Sequence, residues 1–429
     1  MSDLIIRNAR LSGGGPLTDI AIEGGKFRSI GPELPFQGKE ETDAAGGLVI
    51  PPFVESHIHL DSALTVGIPR DNESGTLGEG ISILAGQQGL FSDEEILERA
   101  REAVCWQVSS GVLRIRTHAN VADPSLQGLR VLLTLRDQLR DLVDIQVVAF
   151  PQHSLYAVEG SLELMEEVLR LGADVVGGMP QMEMTREDGV RAVETSFQLA
   201  GRYGRMLDFH ADETGDEQSR FTEVIAACTL KEGMEGRVAA SHVTALHNYN
   251  NDYAEKLIRL LAQARVSVIT NPFSNAVLQN RLDGYPRRRG HTRVDQLTGA
   301  GVNVSAGSDN VMDPIGPLGR GSVVASLNFL AHYGHLSGAS WMEKLVRMVT
   351  ENGALTLGDS TYGIRPGNPA DCLVLRARDE AEVVRLGENP LQVIRRGRVV
   401  ARTTPAVHTL FLPEGTRTVE YRVSGKDRQ

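Results

Sequence analysis

Eight short runs of β-forming residues follow one another between residues 48 and 309, and helical sequence fills most of the gaps. The runs are Leu48 to His59, Val112 to Ala119, Ile145 to Gln152, Ala173 to Pro180, Leu207 to Glu213, Val238 to Val243, Val266 to Pro272 and Val302 to Asp309. Between them, Asp93 to Val108, Ser161 to Leu171, Arg186 to Tyr203 and Tyr253 to Ala264 repeat apolar residues at intervals of three and four, the period of an amphipathic helix. Eight alternations over roughly 300 residues predict an α/β fold, a (β/α)8 TIM barrel whose strand C-termini share one mouth. A doubly wound sheet is the alternative, but no Gly-x-Gly-x-x-Gly opens a helix after the first strand.

The two ends of the chain have a different texture. Leu4 to Ala9, Ile20 to Ile22 and Phe27 to Ile30 read as strands, separated by Gly13-Gly14-Gly15-Pro16 and Gly24-Gly25. Asp371 to Leu375, Val393 to Arg396, Arg398 to Arg402 and Thr409 to Leu412 read the same way. Each set is too small to bury a core alone, so the ends are expected to pair into one small β-sandwich domain. The expected division is 1–50 and 359–429 for that domain and 51–358 for a distorted barrel.

A formal net charge of −11 argues against nucleic acid, because a phosphate-binding surface is normally basic. A small-molecule substrate fits better. Cys105, Cys228 and Cys372 are widely spaced with no Cys-x-x-Cys pair, which points to a reducing cytoplasm rather than a disulfide framework. The N-terminus has an acidic residue at once and no signal-like apolar core, and no run approaches the ~18 apolar residues of a membrane span. A soluble, cytoplasmic protein without membrane partners is expected.

In a barrel, polar residues at strand ends meet. Strand one ends in His57-Ile58-His59, strand five in Asp208-Phe209-His210-Ala211-Asp212-Glu213, strand six in Ser241-His242, and strand eight in Ser308-Asp309-Asn310. His57, His59 and His210 would supply nitrogens and Asp309 an oxygen to one divalent cation, which would lower the pKa of a bound water from about 16 toward ~7. Glu213, three residues after His210, is then placed as a proton shuttle. His242 would hydrogen-bond the attacking water or the developing oxygen, and Asp309 could double as ligand and base. A lone strand-end histidine is more often structural than ligating, so the argument rests on their joint occurrence. His118, after Arg114 and Arg116, is read as structural or supporting. No lysine falls on Ala173 to Pro180 to bridge a metal pair, so one ion is expected.

With these residues in hand the chain is identified as a member of the amidohydrolase superfamily, and it resembles the bacterial cytosine deaminase family along nearly its whole length. The likeness rests on Pro51 to Asp61, Ser74 to Leu77, Val148 to Gln152, Asp216 to Phe221, Ser241-His242, Tyr285 to Gly290 and Asp313-Pro314. The resemblance implies one zinc or iron ion, hydrolytic loss of ammonia from an amino-substituted ring, and a homo-oligomer. It also implies that Gln152 pairs with the ring edge and that Leu77 lines the pocket. Three positions depart from the family pattern. Asn310 stands where a second acid is usual and would bring an N–H2 donor to the amino-group side; Ile315 replaces an aromatic; His153 follows Gln152 in place of an acid. These changes point to a pocket retuned toward 5-methylcytosine beside or instead of cytosine. Creatinine-like lactams, N-substituted aminotriazines and a non-catalytic relative are the alternatives.

Overall fold

The computed structural model describes residues 2–419 and 421; Met1, Glu420 and residues 422–429 of the expected end segments lie outside the described residues. β1 (Ser2–Ala9) pairs antiparallel with β2 (Thr18–Glu23), β2 with β3 (Lys26–Gly31), and β4 (Gly38–Asp43) runs parallel to β1. β4 reads Gly-Lys-Glu-Glu-Thr-Asp, so no apolar pattern betrays it; it is an edge strand held by backbone pairing, and its charges suit that position. β5 (Val49–Ile50) leaves this sheet for a second one.

The barrel follows. β6 (Phe53–Ile58), β7 (Val112–Asn120), β8 (Asp144–Phe150), β9 (Val175–Gly178), β10 (Met206–Ala211), β11 (Val238–His242), β12 (Ser267–Thr270) and β13 (Val304–Ala306) form one parallel sheet in sequential order. All eight runs read from the sequence are present, each shorter than its apolar stretch except β7, which runs one residue past it. Their residues are buried on both faces because helices cover the outside, which is why they read as near-continuous apolar runs. The helices Ser161–Leu171 and Arg186–Tyr203 have the bounds that their periodicity predicts. The ring is nearly closed by a few bonds at the mouth. Ile58 bridges Asp309, the Asp309 N–H donates to the His57 carbonyl at 2.8 Å, and the His59 N–H donates to the Asp309 carbonyl at 2.9 Å.

β14 (Cys372–Val374), β15 (Gln392–Arg395) and β16 (Arg398–Arg402) join β5 in a second four-stranded sheet. Ile6, Ile20, Ile22 and Phe27 of the first sheet share one core with Cys372, Val374 and Ile394 of the second, which makes the sandwich. Two details differ from expectation. A helix, Glu380–Leu386, capped by Asp379, lies within the C-terminal segment. β17 (His408–Leu412) does not join the sandwich but pairs with β18 (Gly415–Val419), because Pro413-Glu414 turns the chain straight back. Arg114 and Arg395 tie the sandwich to the N-terminal ends of β7 and β8 through Asp144 and Asp371. Among the described residues no helix is long and apolar enough to cross a membrane.

Candidate metal centre

Strand alternation and strand-end bends bring the predicted ligands to one point. His57 is buried on β6, His59 follows the strand, His210 lies on β10 and Asp309 just past β13. Asp309 and His242 have φ of 68° and 70°, left-handed values that cost a non-glycine residue about 1–3 kcal/mol and cluster at functional sites. His57 Nε2 and His59 Nε2 each lie 3.4 Å from Asp309 Oδ1, and His210 Nε2 lies 3.4 Å from His59 Nε2. Three of the six separations among these four atoms thus equal the edge of a tetrahedron whose corners lie about 2.1 Å from its centre, the usual zinc–nitrogen distance. The donor set fits a divalent cation.

The hydrogen bonds behind the rings separate ligand from donor. Ser241 Oγ donates to Asp208 Oδ1 at 2.8 Å, so its lone pair receives the proton of His57 Nδ1 at 2.9 Å. Asp208 is fully buried and is held ionised by His118 and by Arg116, whose NH1 lies 2.9 Å from Oδ2. His57 therefore carries its hydrogen on Nδ1 and turns a bare Nε2, which has no hydrogen-bond partner among the described residues, toward the cluster. His242 is wired the other way. The Asn271 N–H donates to Asn275 Oδ1 at 3.2 Å, which leaves the Asn275 NH2 to donate to His242 Nδ1 at 2.9 Å. The hydrogen of His242 then sits on Nε2, which makes that atom a donor rather than a metal ligand.

Both tautomers are neutral. Burial pushes His57 down to about 4 and His242 down to about 3. Burial opposes the charge on Asp309, yet His242 and the His57 and His59 rings hold its carboxyl well below the usual range. Glu213, two residues past β10, has the opposite bias: burial and the nearby Asp309 raise it well above an ordinary glutamate. Its Oε1 accepts from Gln279 at 3.3 Å and lies 3.7 Å from His242 Nδ1. A buried carboxyl that holds a proton readily suits proton transfer.

The centre opens into a cavity of about 130 Å³ lined by His59, Glu213, Gln152, Leu77, Asn310 and Ile315, among others. Leu77 opens the helix Leu77–Ala85, which lies against Ile315 so closely that a Cβ at Gly80 would fall 2.7 Å from the isoleucine side chain. His153 does not line this cavity. Asn310 donates from its NH2 to Asp313 Oδ2 at 2.7 Å, and the other oxygen of Asp313 collects the Ile315 and Gly316 backbone N–H groups of the same loop. His118 is more central than its sequence suggests, with its ring 3.9 Å from that of His57 and its Nε2 3.9 Å from Asp208 Oδ1.

Several supporting residues escaped the sequence reading. Glu55 accepts from the His57 and Ser308 backbone N–H groups and joins the first strand to the last; burial pushes it up to about 8. It shares the period-two face of His57 and His59, and that spacing could have found it. Asp208, two residues before His210, carries the same signal. Asn271, Asn275 and Gln279 follow β12, where nothing in their spacing marks them.

Residues 40–401 match the profile described as the Amidohydrolase family. The chain belongs to the amidohydrolase family. Members of this family are metal-dependent, in keeping with the cluster of buried imidazoles. The fold superposes on 5-methylcytosine deaminase from Klebsiella pneumoniae, solved with phosphonocytosine, with a TM-score of 0.91 and 40% identity over 94% of this chain and 99% of that one. N-isopropylammelide isopropyl amidohydrolase from a Pseudomonas species is 29% identical over 93% of this chain and 97% of its own length. Pterin deaminase from Rhizobium rhizogenes is 28% identical over 90% and 88%. All three relatives bear the names of deaminases or amidohydrolases.

Proposed function

We propose that this amidohydrolase deaminates a cytosine-like ring, converting cytosine or 5-methylcytosine with water to uracil or thymine and ammonia. The observation that carries the reading is the opposed wiring of His57 and His242, one ring with a bare nitrogen toward the cluster and the other with an N–H. A divalent cation, zinc or iron, held by His57, His59, His210 and Asp309 would supply Lewis-acid activation of water. Glu213 takes a proton at its carboxylate and returns it to the ring nitrogen or the departing amine. His242 Nε2–H steadies the oxygen that becomes the product carbonyl, and Gln152 fixes the ring edge. Ile315 and Leu77 give the wall beside the ring an aliphatic surface, which suits a 5-methyl group. In this proposal residues 51–358 are the catalytic barrel, and 1–50 with 359–429 form the sandwich domain.

The test is ammonia release by metal-replete protein from cytosine and 5-methylcytosine, and isopropylamine release from N-isopropylammelide. Turnover of at least one pyrimidine is expected. Activity on the triazine alone would move the substrate while keeping the chemistry, and no turnover of either pyrimidine overturns the proposal.

A further inference from the structure

Resting on that deaminase reading, we propose that Asn120 is a positioning residue that decides which ring edge the site accepts, because it holds the Gln152 side-chain amide in one orientation. The argument starts from a group whose direction is fixed. The Ala122 backbone N–H can only donate, and it donates to Asn120 Oδ1 at 2.9 Å. The other end of Asn120 is therefore its NH2, which donates to Gln152 Oε1 at 2.7 Å. Gln152 thus has its carbonyl turned toward the end of β7, and its own NH2 is left for the cavity that both residues line.

Asn310 lines the same cavity and is held in the opposite sense. One N–H of its NH2 goes to Asp313 Oδ2, while the other oxygen of Asp313 receives the Ile315 and Gly316 backbone N–H groups at 2.9 and 2.8 Å. That bond fixes the amide with its carbonyl oxygen turned away from Asp313 as an acceptor. The cavity therefore carries an uncharged donor at Gln152 and an uncharged acceptor at Asn310. Two amides locked this way select a neutral ring that presents a carbonyl or bare ring nitrogen to Gln152 and an N–H to Asn310. A ring that offers only N–H to Gln152 would set donor against donor and leave a buried group unpaired.

If Asn120 merely finished β7, replacing it would alter stability without involving Gln152. A double-mutant cycle separates the two roles. Asn120→Asp is isosteric and offers only acceptors to Gln152, so it favours the flipped amide; Asn120→Ser is the second variant in case the first folds poorly. With metal content checked by elemental analysis, kcat/KM for cytosine or 5-methylcytosine is expected to fall at least ten-fold in Asn120→Asp, mostly through KM. In a Gln152→Ala background the same change should cost less than two-fold. Equal losses in both backgrounds, or no loss in either, overturn the proposal while leaving the deaminase reading intact. Failure of the unaltered enzyme to turn over either pyrimidine sinks both.

Discussion

At the N-terminal ends of the barrel strands, Arg114 reaches Asp144, Asp359 and Asp371 at 3.1, 2.9 and 2.9 Å, and Arg395 shares Asp144 and Asp371. At the mouth, His57, His118, His210 and His242 are buried as deeply, and among the described residues each, like Arg395 at its Nε, has a nitrogen without a hydrogen-bond partner. Both regions place polar groups where water does not reach. Only one answers each charge with an opposite charge. Leaving a buried polar group unmet costs about 1–3 kcal/mol, so a cluster of such atoms is retained where a ligand completes it. The closed network joins two domains, and the open one leaves buried ring nitrogens that an ion or a substrate could meet.

The sharpest way to break this contrast is at Glu213. Replacing it with Gln keeps size and burial and removes the proton carrier, so turnover should fall by about 10²–10⁴-fold, the span typical of a general acid–base group. Metal content should stay at the level of the unaltered protein, because Glu213 is outside the 3.4 Å cluster of imidazoles and Asp309. Loss of metal in Glu213→Gln, read by elemental analysis, would make it a ligand and undo the division of roles.

The closed network is tested at Arg395. Its side chain is 1% exposed, and Arg395→Met removes one of the two guanidinium partners of the buried Asp371, leaving Arg114. Breaking a buried pair from one side costs about 3–5 kcal/mol, and the partner that stays offsets part of that, so chemical denaturation should show a loss below that range but well above zero. Metal affinity should be unchanged. A variant with unaltered stability would show that the charges at this end do not hold the sandwich to the barrel.

These two regions were unequally legible in the sequence. The barrel was readable because each strand is apolar on both faces, and the site because His57, His59, His210, Glu213, His242 and Asp309 fall at strand ends whose order fixes their meeting. The edge strand Gly38–Asp43 was not, since its pairing is made by backbone groups that any sequence supplies. Nor were the tautomers. The roles of Ser241, Asn275 and Asn120 depend on which end of a small polar side chain meets a backbone N–H, and residue spacing carries no trace of that. Nor was Asp313 legible as the partner of Asn310, since residue type alone does not say where an amide donates.

The smallest expected effect is the most specific to the open network. Ser241→Ala removes the hydroxyl between Asp208 and His57 and little volume. Without it the ring can carry its hydrogen on either nitrogen, and the fraction with a bare Nε2 falls. Removing an outer partner of a metal-binding histidine typically costs 10–100-fold in metal affinity, and a loss in that range is expected in competition with a chromogenic zinc chelator. Ser241→Thr keeps a hydroxyl and should recover most of the affinity. A purely structural role would instead lower the melting temperature of the apoprotein in both variants and leave zinc affinity alone. That outcome would remove the distinction drawn between the two histidines, since His57 would then hold its tautomer without help from Asp208.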